Sequence, residues 1–213
     1  KKTKSKMKPL AVQRINVGYN DLEIKNNFAS ATAIRKKIID NTPAGISKLM
    51  PSSSYKILYN SIKKGHYVKD ITAFEKEILY SLRRMYTDEI AELPDVVEGL
   101  ENSIQDAADS CNTLAEFMNI VKSKRYTSTR IQRILLYALL GITKEDMKAS
   151  YKINPYVRIL GMNNKGKELL SHISQSNPKL NVITSVKKFM DSNPNKGLQN
   201  MLNIDINATN IYT

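Results

Sequence analysis

The feature that most narrows what this chain can become is the spacing of apolar residues after position 127. Ile131, Ile134, Leu135, Ala138 and Ile142 fall at i, i+3, i+4, i+7 and i+11. That is one stripe of a 3.6-residue helix, and it does not fit the two-residue period of a strand. Thr127 or Ser128 supplies a hydroxyl at the start, and Gly141 stands where a cap or last turn would close the helix. So long a stripe must be covered by other apolar faces. Residues 72–86 offer one, with Phe74, Ile78, Leu79 and Leu82. Their charges run Glu75 and Glu77 early and Arg83 and Arg84 late, the order a helix dipole favours. Residues 98–108 predict another helix, and Thr113 with Glu116 predicts a capping box opening Leu114–Val121.

Downstream, Lys144–Lys148 predicts a short helical turn and residues 156–162 a strand or extended segment. Gly166 leads into a helix through Ile173, and 180–184 is extended before a helix at 184–190. A break at Pro194–Gly197 follows, with a last helical turn at 205–212. The first seventy residues differ. Residues 8–17 predict a strand between Pro9 and Gly18, followed by a turn through Asp21. From Ser30 the pattern is helical, with Ile34, Ile38 and Ile39 on one face; a second helix is predicted at 54–64, and Gly65–Tyr67 is a break.

Composition removes several classes. An apolar content of 41%, with 8 Gly and 7 Pro in 213 residues, excludes a disordered or collagen-like chain. No apolar run approaches the ~18 residues of a membrane span, and no helix joins a basic face to bulky aromatic anchors. No membrane role is therefore expected. Cys111 is single, which excludes a disulfide framework or a multi-cysteine zinc site, and His66 and His172 have no ligand spacing, so no metal site is expected. The setting expected is soluble, reducing and cytoplasmic, with the oligomeric state open. The opening Lys1-Lys2-Thr3-Lys4-Ser5-Lys6 has no apolar stretch behind it, so it is not expected to act as a signal peptide.

The net charge of +13 is unevenly placed. Residues 1–70 hold 15 basic and 4 acidic side chains, 71–120 hold 3 and 11, and 121–213 hold 15 and 5. Two positive regions flank an acidic one, a pattern that points to a polyanion met by folded surfaces. Solvating lysine is the plainer account.

Two segments carry candidate chemistry. In Ala29-Ser30-Ala31-Thr32-Ala33-Ile34-Arg35, hydroxyls open a helix whose first amides form an anion site, and Arg35 extends it. A merely capped amphipathic helix fits as well. In residues 122–133, five cations (Lys122, Lys124, Arg125, Arg130, Arg133) stand with Tyr126, four hydroxyls including Thr127, and no acidic residue. Arg130 and Arg133 share a helix face opposite the apolar stripe. Helix start, hydroxyls and arginines together suit a phosphate backbone, and Tyr126 suits an unpaired base. A third feature, Glu98 and Glu101 around Gly99, reads as dipole stabilisation or as paired carboxylates.

Ser30-Ala31-Thr32-Ala33-Ile34-Arg35 resembles the ISSTxIR-type element of the HIGH nucleotidyltransferase superfamily. Glu98-Gly99-Leu100-Glu101-Asn102, then Lys124-Arg125-Tyr126-Thr127 with Arg130 and Gln132-Arg133, resemble the bacterial tRNA(Met) cytidine acetate ligase family. Tyr156-Val157-Arg158-Ile159-Leu160-Gly161 and Asp205-Ile206-Asn207-Ala208-Thr209 add to the likeness. The resemblance implies a mainly α chain: a helical RNA-binding domain at 71–213 following a truncated remnant of an α/β, Rossmann-like nucleotidyltransferase domain at 1–70. It implies an enzyme that uses ATP, with Mg2+, to activate acetate as acetyl-adenylate. The acetyl group then passes to N4 of the wobble cytidine of elongator tRNA(Met). Ser30, Thr32 and Arg35 would contact ATP phosphates, and Lys122, Lys124, Arg125, Tyr126, Thr127, Arg130 and Arg133 would hold the tRNA. The family's His-x-Gly-His motif has no counterpart in this sequence, so the catalytic residues stay unassigned. The chain is expected to be the C-terminal portion of such a protein, unable to adenylate acetate alone. A nucleotidyltransferase for a small cofactor precursor and a non-catalytic RNA-binding module are the alternatives.

Overall fold

The computed structural model describes residues 8–13, 18, 21–24, 28–40, 43–97 and 99–212. The chain divides into two compact units, Lys1–Ala73 and Phe74–Thr213. Helix dominates both among the described residues.

In the first unit, α1 spans Ala31–Ile39. Its start is fixed by Ser30, whose hydroxyl accepts from the Ala33 amide at 2.9 Å and donates to the Asp21 carbonyl at 2.6 Å. Lys36 and Lys37 lie in the last turn, where cations suit the dipole. Ala33 and Ile38 are buried, and the helix packs on a 3-10 turn, Pro43–Ile46, whose Ile46 is also buried. Helix α2, Ser52–Lys63, stacks Tyr55 on Tyr59 at 6.0 Å and buries no residue fully. The strand predicted over 8–17 is not found at residues 8–13, which have no regular structure; 14–17 lie outside the described residues. A strand persists only when its backbone finds a ladder, and here Leu10 and Val12 are 91% and 87% exposed.

The second unit is built around the helix that the apolar stripe predicts. It opens with α3 (Glu75–Arg84), α4 (Thr87–Ala91), α5 (Leu100–Ser110), α6 (Leu114–Val121) and α7 (Ser128–Leu140). Helix α7 packs on α3 and α6, α5 packs on α3, α4 and α6, and Ile131, Ile134 and Leu135 are buried. Each such side chain contributes about 1.5–3 kcal/mol by leaving water. They meet a core that includes Ile78, Leu82, Leu100, Ile104 and Phe117. Helix ends inside this bundle need partners. Arg83 supplies two for α5, donating from Nε to the Ala108 carbonyl at 2.7 Å and from Nη2 to the Cys111 carbonyl. Glu75 accepts the Leu114 amide at 2.7 Å, at the start of α6. Thr113 caps α6 as its sequence predicts, but the Glu116 carboxylate accepts from Asn112, one residue upstream of the box position.

Helix α7 ends at Gly141, which is left-handed at φ +65°, and α8 follows at Lys144–Ser150 with a full capping box from Thr143 and Asp146. Then β1 (Tyr156–Arg158), α9 (Asn164–Ser176) and β2 (Asn181–Ile183) form a parallel crossover, with Tyr156 opposite Asn181 and Arg158 opposite Ile183. Among the described residues the strands are thus late in the chain, and the extended segments at 156–162 and 180–184 pair with each other through Tyr156–Arg158 and Asn181–Ile183. Helix α10 covers Val186–Asp191, and α11 runs continuously from Lys196 to Tyr212, where a break and a separate final turn were predicted. Asn195 accepts the Gly197 amide at 2.8 Å and so starts α11 at the position read as a breaker. Helix α11 packs on α7 and α8.

Among the described residues no helix is long and apolar enough to cross a membrane, and no three His, Cys, Asp or Glu side chains gather as a metal site.

Candidate nucleic-acid interface

The connection from α6 to α7 places cations at one helix start. Lys122 ends α6, and Ser123 and Tyr126 close a tight turn through reciprocal main-chain hydrogen bonds of 3.3 and 3.2 Å. The Ser123 hydroxyl also accepts from the Tyr126 amide at 3.2 Å. The turn throws Lys122, Lys124 and Arg125 into solvent. Thr127 is the N-cap residue without a side-chain cap; its hydroxyl lies 3.2 Å from that of Thr129 instead. The Arg130 and Ile131 amides turn back to the Thr127 carbonyl, so the first amides of α7, at Ser128 and Thr129, precede the intrahelical ladder.

Tyr126 organises the arginines. The Arg125 guanidinium carbon sits 5.4 Å from its ring centroid and that of Arg130 5.2 Å, both within cation–π range. Arg130 donates from Nε and Nη2 to the Asp95 carbonyl, at 3.0 and 2.5 Å. One turn on, Arg133 donates from Nε to Asp95 Oδ2 at 2.9 Å, with Nη2 2.8 Å from the same oxygen. The hydrogen bond and charge of Asp95 raise the Arg133 pKa further above its already high ordinary value.

The structure therefore joins Arg125, Tyr126 and Arg130 into one stack and leaves Lys122 and Lys124 exposed. Arg130 and Arg133, one turn apart, are both held by the loop around Asp95. Asp95 lies outside every segment whose residue pattern marks a candidate site. Its one signal is the Pro94-Asp95 turn pair, which says nothing about a partner 35 residues on. Asp95 adopts φ +67°, a conformation that a short polar side chain tolerates better than most.

At α1, Ser30 is only 3% exposed and its hydroxyl is fully engaged by Asp21 and Ala33. Thr32 is half-buried and Arg35 exposed. The Ser30 side chain thus builds the helix start, leaving the Ala31 and Thr32 amides ahead of the ladder.

A model of the HIGH nucleotidyl transferase family matches residues 1–213, the whole chain. This chain belongs to the HIGH nucleotidyl transferase family. It is 38% identical over 213 residues to the tRNA(Met) cytidine acetate ligase of Thermoanaerobacter sp. (strain X514), covering 100% of this chain and 51% of that protein. It is also 38% identical to the protein of that name from Clostridium tetani, again covering 51% of it. The chain spans about half the length of the curated relatives it matches. Among solved structures, the apo form of Thermotoga maritima TmcAL superposes with a TM-score of 0.86 at 26% identity, covering 94% of this chain and 49% of that one. The same protein bound with α-thio ATP gives 0.78 at 26% identity, covering 89% and 47%.

The third feature of this HIGH nucleotidyl transferase chain is local. Glu101 Oε1 accepts the Gly99 amide at 3.0 Å and lies in the first turn of α5, where a carboxylate favours the dipole. Glu98 lies outside the described residues.

Proposed function

We propose that this chain is part of an ATP-dependent tRNA(Met) cytidine acetate ligase acting in the cytoplasm, with Phe74–Thr213 holding the tRNA. The observation that carries this reading is the 38% identity to curated ligases of that name along the full length of the chain. The cationic turn before α7 supplies its physical counterpart. In the reaction, a carboxylate oxygen of acetate attacks the α-phosphorus of ATP, giving acetyl-adenylate and pyrophosphate. The N4 amine of the wobble cytidine of elongator tRNA(Met) then attacks the acetyl carbon and AMP leaves, giving N4-acetylcytidine.

Lys1–Ala73 is read as the end of the nucleotidyltransferase domain. Ser30 fixes the start of α1, and the Ala31 and Thr32 amides, the Thr32 hydroxyl and Arg35 offer donors for phosphate oxygens as charge develops on pyrophosphate. The crystal form of TmcAL bound with α-thio ATP supports a nucleotide site in this fold. Mg2+ would accompany the nucleotide and neutralise its phosphates.

In the second unit, Lys122, Lys124 and Arg125 meet the phosphate backbone, Thr127 and the first amides of α7 add neutral donors, and Tyr126 stacks or braces. Arg130 and Arg133 contribute through the Asp95 loop. Filter binding of elongator tRNA(Met) to the full chain across a salt series tests this. The double variant Lys124→Ala/Arg125→Ala is expected to weaken binding about tenfold and to flatten the log–log salt slope by about 1.4–1.8. Unchanged affinity and slope would remove the turn from the RNA site.

A further inference from the structure

The Asp95 carboxylate stands inside a region otherwise suited to a polyanion, in a loop whose geometry keeps it there. Pro94 is buried. The Asp95 carbonyl is gripped by two N–H groups of Arg130, and Arg130 is in turn seated on the Tyr126 ring. With the main chain pinned at φ +67°, the carboxylate is presented to Arg133. The pairing is poor in one respect. Nε and Nη2 of Arg133 converge on Oδ2 alone, whereas a guanidinium edge is matched best by two oxygens accepting in parallel. A phosphate diester supplies that second oxygen. Both partners are open to water, with side chains 53% and 34% exposed, so the exchange requires no burial of an unpaired charge.

We propose that Asp95 is an intramolecular stand-in for an RNA phosphate: its carboxylate masks Arg133, and an incoming phosphate must displace it. Asp95 thereby sets how strongly the start of α7 holds RNA, while its carbonyl, through Arg130, keeps the arginine stack in place. This rests on the tRNA-binding reading above. It separates two functions of one residue, because Asn at position 95 keeps the carbonyl and tolerates the positive φ but carries no charge.

The test measures elongator tRNA(Met) binding to the full chain across a KCl series for wild type, Asp95→Asn, Arg133→Gln and the double variant. Circular dichroism confirms that each is folded. Asp95→Asn is expected to bind about two- to fivefold tighter at moderate salt. Its salt slope is expected to change by less than the about 0.7–0.9 of one phosphate contact, because Arg133 neutralises the same phosphate in both proteins. Arg133→Gln is expected to bind more weakly than wild type, and to abolish the gain when combined with Asp95→Asn. Wild-type binding with Asp95→Asn no tighter would overturn this proposal alone. A gain that survives Arg133→Gln would overturn it too, since general charge would then suffice. Failure of the wild-type chain to bind tRNA would overturn the RNA reading and this proposal with it.

Discussion

Replacing Tyr126 separates the electrostatic work of its ring from any work of its hydroxyl. Two guanidinium groups lie over that ring, at 5.4 and 5.2 Å. At an exposed site each contact is worth about 0.5–1 kcal/mol, so removing the ring releases about 1–2 kcal/mol of preorganisation. Arg125 has no other anchor among its described contacts and would lose its position first. Arg130 would keep its two bonds to the Asp95 carbonyl. Tyr126→Leu is therefore expected to weaken tRNA binding about five- to thirtyfold, since each 1.4 kcal/mol is tenfold. The salt slope would change little, because no cation is deleted. Tyr126→Phe keeps the π face and is expected to bind as wild type does. Fluorescence anisotropy with labelled tRNA, at several salt concentrations, reads both quantities. Equal binding by Tyr126→Leu and wild type would refute the bracing argument. A Tyr126→Phe variant as weak as Tyr126→Leu would refute it differently, by assigning the effect to the hydroxyl.

Two further substitutions test the scaffold that carries the interface. An added Cβ at Gly141 meets open space, so its cost is conformational alone: about 1–2 kcal/mol for alanine at φ +65°, less about 0.4–1 kcal/mol from the stiffer unfolded chain. Gly141→Ala is thus expected to lower the melting temperature by about 2–4 °C in a differential scanning calorimetry trace while leaving tRNA affinity unchanged. Tyr156, part-buried and 3.3 Å from Asp205, has its pKa raised above 10.0, first by desolvation and then by Asp205. In the unfolded chain the phenol loses its proton near the ordinary value while the folded one retains it, so the native state binds more protons. Its stability is present below that value and falls as pH rises through it. Urea melts above pH 10 are expected to show a steeper loss for wild type than for Tyr156→Phe, and parallel losses would refute the assignment.

What was legible in the sequence was whatever a single element decides for itself. The stripe from Ile131 to Ala138 requires a helix because only that period puts these side chains on one buried face. Thr113 and Ser30 marked helix starts because a short hydroxyl satisfies a free amide locally. What failed was whatever needs a distant partner. Residues 8–13 have the composition of a strand, but a strand needs a neighbour, and among the described residues Leu10 and Val12 stay almost fully exposed. Conversely, β1 and β2 are three residues each and become a sheet only through pairing across an intervening helix. Gly197 reads as a breaker in isolation, yet it starts a seventeen-residue helix because Asn195 caps it and its missing Cβ leaves room for Ile153, whose carbons would lie 3.2 Å away.

The same distinction governs the candidate interface, and it changes what the basic cluster means. Counting charges along 122–133 gives five cations and no anion, a strongly attractive surface if every cation faces solvent. Helix α7 cannot present them independently. Burial of Ile131, Ile134 and Leu135 fixes its rotation, and that rotation swings Arg130 and Arg133 toward the loop after α4, where Asp95 meets both. Core packing therefore divides the cluster in two. Lys122, Lys124 and Arg125 belong to a turn ahead of the helix and stay exposed; Arg130 and Arg133 are held by the scaffold. An interface built this way has a constant electrostatic attraction at its rim and a conditional one beside it, released only by a ligand that competes with a carboxylate. The affinity of such a site depends as much on a residue 35 positions upstream as on the cations themselves, and no window of the sequence that contains only the cations can report it.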